Sequence, residues 1–173
     1  SGNKGTVGWR SGVTNCAGGA VFVERSDHFA LVKNRFEDNA CAVLGRSLGG
    51  GLAIIDSREP VLLANEFIRN TSTLFASDGK SPFADAMGGG GVGMARVQGG
   101  LVLSNTFNAN VAGTSFVGDP GGGKVYHFYR GGGLFMNTGS ETEIRQNIFQ
   151  DNLGSALFGG AGAGGMGGRP GRS

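Results

Sequence analysis

Apolar positions along this chain recur in short stretches at two-residue spacing. Val21 and Val23, Leu52 and Ile54, Val92 and Met94, and Leu134 and Met136 are each separated by one residue. That is the strand period. No 3.6-residue apolar stripe runs through these segments. The glycines among them would each cost about 1 kcal/mol inside a helix. A second pattern follows each pair: an apolar residue, Asn three later, Phe two after that, and Asn three after the Phe. It is written four times, as LVKNRFEDN (31–39), LLANEFIRN (62–70), VLSNTFNAN (102–110) and IRQNIFQDN (144–152).

The two patterns keep a constant distance. Gly19, Gly50, Gly90 and Gly132 each lie 17 residues before Phe36, Phe67, Phe107 and Phe149. The Phe-to-Phe distances vary as 31, 40 and 42 residues. All length change falls after the second Asn, in stretches such as ASDGKSPFADA (76–86) and GDPGGGKVYHFYR (118–130), which carry turn chemistry. A constant frame with insertions at one point is the signature of a solenoid.

Leu31, Leu62, Val102 and Ile144 lie five residues before the Phe. Five is odd, so in one flat strand the two would face opposite sides. If both are buried the chain must bend, and Asn34, Asn65, Asn105 and Asn147 sit at the bend. Asn tolerates the left-handed region and bonds nearby backbone through its amide. Stacked coils about 4.8 Å apart would align these amides as a hydrogen-bonded ladder and the four Phe as an internal column. Asn39, Asn70, Asn110 and Asn152 would mark the next corner. The expected fold is all-β: a right-handed parallel β-helix of about four coils with insertion loops on one side. Residues 1–17, with Trp9, are expected to form an N-terminal cap or incomplete coil. The repeats then occupy 18–160, and 161–173 form a glycine-rich tail.

Composition agrees. Glycine supplies 36 of 173 residues, far above the usual share, with only 4 prolines and no Gly-X-Y period, so collagen is excluded. Fifteen basic residues nearly balance 13 acidic ones, and no basic run points to nucleic acid. No apolar run is long enough to cross a membrane as a helix. The chain starts at Ser1 without a signal-peptide pattern, as expected of a processed product or part of a longer protein. Cys16 and Cys41 are too few for a zinc site. They do not occupy equivalent repeat positions, so two buried free thiols are expected, with a disulfide as the alternative.

The segments GGAVFV…NRFEDNACA and GGGLFMN…NIFQDN resemble the GGA[IL] and FxxN motifs of the polymorphic outer membrane protein repeats of chlamydial surface proteins. More broadly, residues 16–160 resemble the pectin-lyase-like right-handed parallel β-helices. The resemblance implies a secreted or surface-exposed module, often adhesive or structural. The autotransporter pattern adds a C-terminal barrel, which is not expected within these 173 residues.

An enzyme of this fold would need clustered or paired carboxylates. Stacking could bring Asp27 or Glu24 near Asp56, but a solvated corner is the ordinary reading of those acids. His28 and His127 lack partners at metal-ligand or triad spacing and read as surface residues. No catalytic residue, metal or cofactor is assigned. Lys124, Tyr126, His127, Phe128, Tyr129 and Arg130 form an aromatic and cationic cluster, read either as a binding loop or as side cover for the solenoid. The tail is expected to pack against the solenoid end, another copy or a different subunit, with Arg169 and Arg172 offering ion pairs. The leading expectation is a non-enzymatic structural or adhesive module that binds a protein partner or itself through loops and ends, secreted or at the cell surface. A carbohydrate-binding or polysaccharide-cleaving β-helix is the alternative, with a glycan as partner. An accessory scaffold subunit of a large, even organellar, complex is a third. Neither nucleic-acid binding nor membrane insertion is expected.

Overall fold

The computed structural model describes residues 15–44, 46–75, 88–113 and 131–154. Within them the chain is built of short parallel strands. In the first coil these are β1 (Asn15–Ala17), β2 (Val21–Glu24), β3 (Ala30–Val32), β4 (Arg35–Glu37) and β5 (Ala40–Leu44), and β6 (Arg46–Leu48) opens the second, one coil above β1. After β6 the second coil continues through β7 (Leu52–Ile55), β8 (Val61–Leu63), β9 (Glu66–Ile68) and β10 (Thr71–Phe75). The third holds β11 (Val92–Ala95), β12 (Leu101–Leu103) and β13 (Thr106–Asn108); the fourth holds β14 (Leu134–Asn137), β15 (Glu143–Arg145) and β16 (Ile148–Gln150).

Equivalent strands of successive coils stack into three four-stranded sheets, β2-β7-β11-β14, β3-β8-β12-β15 and β4-β9-β13-β16. Two two-stranded ladders, β5-β10 and β1-β6, complete them. The register is residue for residue: Phe36 pairs with Phe67, Phe67 with Phe107, and Phe107 with Phe149. This is the expected all-β parallel solenoid.

Inward residues from the three sheets form one core. Phe36, Leu52, Ile54, Leu62, Phe67, Val92, Met94, Val102, Phe107 and Leu134 are buried in it. The Phe rings stack with centroids 4.8, 5.1 and 4.7 Å apart, within 8° of parallel. A second cluster of Leu48, Ala53, Ile55, Ala95 and Phe135 covers the outer face of the first sheet. Both faces of its two central strands are therefore dry, and β7 and β11 are buried at every position. Leu48 reaches over the sheet because residue 93 is glycine: a Cβ there would lie 2.5 Å from Leu48 Cδ1.

The corners differ from expectation in one respect. The residue in the left-handed region is not the Asn but the residue before it: Lys33, Ala64, Ser104 and Gln146 have φ near +55°. The same holds at the second Asn corner for Asp38, Arg69, Ala109 and Asp151. The Asn stays outside that region because its side chain must point along the stack to bond the adjacent coil. A third corner, where a solvated corner is the ordinary reading of Glu24, Asp27 and Asp56, follows the first sheet. There Arg25, Asp56, Arg96 and Thr138 turn left-handed, and single bridges link Asp27, Arg58, Gln98 and Ser140.

The cysteines also correct the expectation. Cys16 and Cys41 form a disulfide, with Cα atoms 5.5 Å apart. They need not be equivalent in the repeat. Cys16 lies in β1 at the start of the first coil and Cys41 in β5 near its close, so the turn of the helix brings them together.

Candidate functional site

The two Asn columns form ladders. In the first three coils each Asn donates its backbone N–H and its Nδ2 to the Oδ1 of the Asn one coil on. In the first column these bonds are 2.9 and 3.2 Å from Asn34 to Asn65, 2.9 and 3.0 Å from Asn65 to Asn105, and 2.8 and 3.0 Å from Asn105 to Asn147. The second Nδ2 hydrogen reaches back to the preceding coil, from Asn65 to Leu31 O, from Asn105 to Leu62 O and from Asn147 to Val102 O. The second column repeats the scheme through Asn39, Asn70, Asn110 and Asn152, reaching back to Phe36 O, Phe67 O and Phe107 O at 2.8 Å each. Buried amides are thus fully bonded, which is what makes their burial tolerable. Their chemistry is directed at neighbouring coils and not at a ligand.

The outer face of the third sheet carries an ion network. Arg35 Nε donates to Glu37 at 2.9 Å and Arg35 Nη1 to Glu66 at 2.7 Å. Arg69 donates to Glu37 at 2.7 Å and to Asp38 at 2.8 Å. The hydrogen bonds from Arg35 and then Arg69 lower the Glu37 carboxyl to about 2. Arg69 likewise holds Asp38 below the usual carboxylate range.

The corner after the first sheet builds a concave feature. Asp56, Ser57, Arg58, Arg96, Gln98, Thr138, Gly139 and Ser140 line a groove of about 480 Å³. Three successive corners supply its wall. Arg96 binds Asp56 through two hydrogen bonds, from Nε to Oδ1 and, at 2.9 Å, from Nη2 to Oδ2. That contact lowers the Asp56 pKa. The groove therefore offers hydroxyls, an amide and exposed Arg58, with its acid already neutralised by a guanidinium.

The alternative to a solvated corner, a pairing of Asp27 or Glu24 with Asp56, does not form. Asp27 stacks on Arg58 and accepts its backbone N–H at 3.1 Å. Asp56 faces Arg96 instead. Glu24 pairs in register with Ile55. The 31-residue step from the first coil to the second carries residue 27 onto 58, so no carboxylate pair for hydrolysis arises there. His28 is exposed, with Nδ1 2.9 Å from the equally exposed Glu59 carboxylate. Among the described residues no group of three or more His, Cys, Asp or Glu can hold a metal ion. The loop cluster Lys124, Tyr126, His127, Phe128, Tyr129 and Arg130, the tail residues Arg169 and Arg172, and the cap around Trp9 lie outside the described residues.

The family model described as the right-handed beta helix region matches residues 1–165. Neither a curated protein nor a solved structure matches the chain.

Proposed function

The chain belongs to the right-handed β-helix family, and from that premise we propose that it is a non-enzymatic structural or adhesive module of a secreted, cell-surface or filament assembly. The observation that carries this reading is the direction of its patterned polar groups. The Asn amides of both columns bond to adjacent coils, and Glu37, Asp38 and Asp56 are held by arginines of their own or the next coil. What remains for partners is surface: Phe22, Val32, Ile144 and Ile148 are exposed large apolar side chains on outer faces and on the last described coil. They lie on the first and last described coils, on β2 and β3 at one end of the stack and on β15 and β16 at the other. The Cys16–Cys41 disulfide supports an oxidising compartment, hence secretion or the cell surface.

Native mass spectrometry of the protein purified gently from its source tests the reading. A larger complex or homopolymer is expected. A free monomer that captures no partner at working concentration would overturn it.

The corner groove favours a second reading, a glycan-binding module. Its hydroxyls, its amide and exposed Arg58 are groups that bind sugar hydroxyls and carboxylates. A glycan array with wild type and Arg58→Ala separates the two: loss of a specific glycan signal in the variant would favour glycan binding.

A further inference from the structure

Coil 2 carries a modification signal that the fold closes off. Asn70-Thr71-Ser72 is the single Asn-X-Ser/Thr triplet of the chain and therefore an N-glycan acceptor sequence. Such acceptors belong on exposed loops. Here Asn70 is fully buried. Its Oδ1 accepts from Asn39 N–H at 3.1 Å and from Asn39 Nδ2 at 2.8 Å. Its Nδ2 donates to Phe36 O at 2.8 Å and to Asn110 Oδ1 at 3.0 Å. Space is as tight as bonding: a Cβ built on Gly51 would lie 3.2 Å from Asn70 Cγ.

Ser72 supplies an independent observation. It too is fully buried, and its Oγ is the one buried side-chain oxygen or nitrogen among the described residues without a hydrogen-bond partner. The folded state does not use this hydroxyl. Glycan transfer does, because the third-position hydroxyl makes the preceding Asn an acceptor.

We propose that Asn70 is a conditional glycosylation site: its amide accepts a glycan only while coil 2 is open, and a glycan once attached stops that coil from closing. In the transfer, Nδ2 displaces the lipid pyrophosphate from the anomeric carbon of a lipid-linked oligosaccharide. A C–N bond forms, the C–O bond to pyrophosphate breaks, and one Nδ2 proton is lost to base. Only one N–H then remains, so either the bond to Phe36 O or the bond to Asn110 Oδ1 is forfeited. The sugar would have to occupy the stack between coils, where no space exists. In a compartment that both oxidises thiols and glycosylates, the chain partitions between a folded, unmodified form and a modified, open form. This inference holds whether the module binds proteins or glycans.

The test offers an N-oligosaccharyltransferase and a lipid-linked oligosaccharide to two forms of the full chain, one native and one reduced, alkylated and unfolded. Intact mass reads the product. The unfolded chain is expected to gain a glycan at Asn70, and the native protein to react about a hundredfold or more slowly, because only its transiently open population is reactive. Comparable rates, or an unfolded chain that accepts nothing, would overturn the proposal. The glycosylated chain, made without alkylation, is then refolded beside the unmodified one. Only the unmodified chain should regain protease resistance and the Cys16–Cys41 bond; recovery of both by the glycosylated chain overturns the proposal. Ser72→Ala deletes the acceptor hydroxyl and leaves the ladder amide in place. It should fold like wild type and accept no glycan even when unfolded; glycan on the unfolded variant would count against the mechanism.

Discussion

Asn110 Oδ1 accepts both the backbone N–H and the Nδ2 of Asn70, each at 3.0 Å, from one coil to the next across 40 residues of sequence. One amide thus closes a corner and fixes the register of two coils. The neighbouring Asn110 Nδ2 reaches back to Phe67 O at 2.8 Å, so removing the side chain leaves several buried groups without partners. Asn110→Ala is expected to destabilise the protein by about 3 kcal/mol or more, at about 1–3 kcal/mol for each orphaned group. Asn34→Ala, at the exposed end of the other column, should lose roughly 1 kcal/mol or less. Denaturant unfolding of both variants checks the ranking, and equal losses would show that the ladder does not act through burial.

Thr138 turns a corner with φ of +53° although it is β-branched. A branched side chain in the left-handed region is strained, by about 1–2 kcal/mol. Thr138→Asn is expected to stabilise by about 0.5–1 kcal/mol, since Asn visits that region readily. The opposite outcome awaits Gly93→Ala, whose Cβ would meet Leu48 and the Gly49 backbone nitrogen at 2.6 Å or less. Overpacking of that kind costs about 1–3 kcal/mol. Thermal unfolding should move the two variants in opposite directions.

The disulfide closes a loop with a sequence separation of 25 residues. In the chain-entropy account a loop of that size is worth about 3 kcal/mol. Denaturation of Cys16→Ser/Cys41→Ser beside wild type, with and without reductant, should show that difference. The reductant should shift wild type alone.

Glu37 titrates near 2 in the folded protein because Arg35 and Arg69 bind its ionised form. A free glutamate titrates near 4.3. The folded value is the lower one, so the stabilisation is present above the unfolded pKa and is lost as pH falls towards the folded value. Stability should therefore decline between about pH 4.5 and 2. Asp38 and Asp56 shift in the same direction, held by Arg69 and Arg96. Glu37→Gln should flatten part of that acid limb. Since the network is exposed, salt should flatten it too. A limb indifferent to both would mean that these pairs do not link folding to pH.

Several features were open to inspection in the residues alone, and others were not. The 17-residue spacing from Gly to Phe is legible because stacked coils must have equal arc length between shared corners. Even the partner of Asp27 follows from that arithmetic, since a 31-residue step reaches Arg58 and not Asp56. The left-handed corner residues are different: Lys33, Ala64, Ser104 and Gln146 share no chemistry that marks them. Their backbone is set by the Asn that follows, whose amide must lie along the stack. Ser72 similarly gives no sign in sequence that its hydroxyl will lack a partner.

The order of residues was enough to determine an all-β stacked solenoid, its coil register, its Phe column and its Asn corners, because each recurs at fixed spacing and spacing survives without coordinates. The Cys16–Cys41 bond, the second core on the outside of the first sheet, the groove beside Asp56 and the burial of the Asn70 acceptor sequence needed the folded chain. Each depends on residues from different points of the coil arriving at one place, and that meeting is decided by how the corners turn, which no local pattern records.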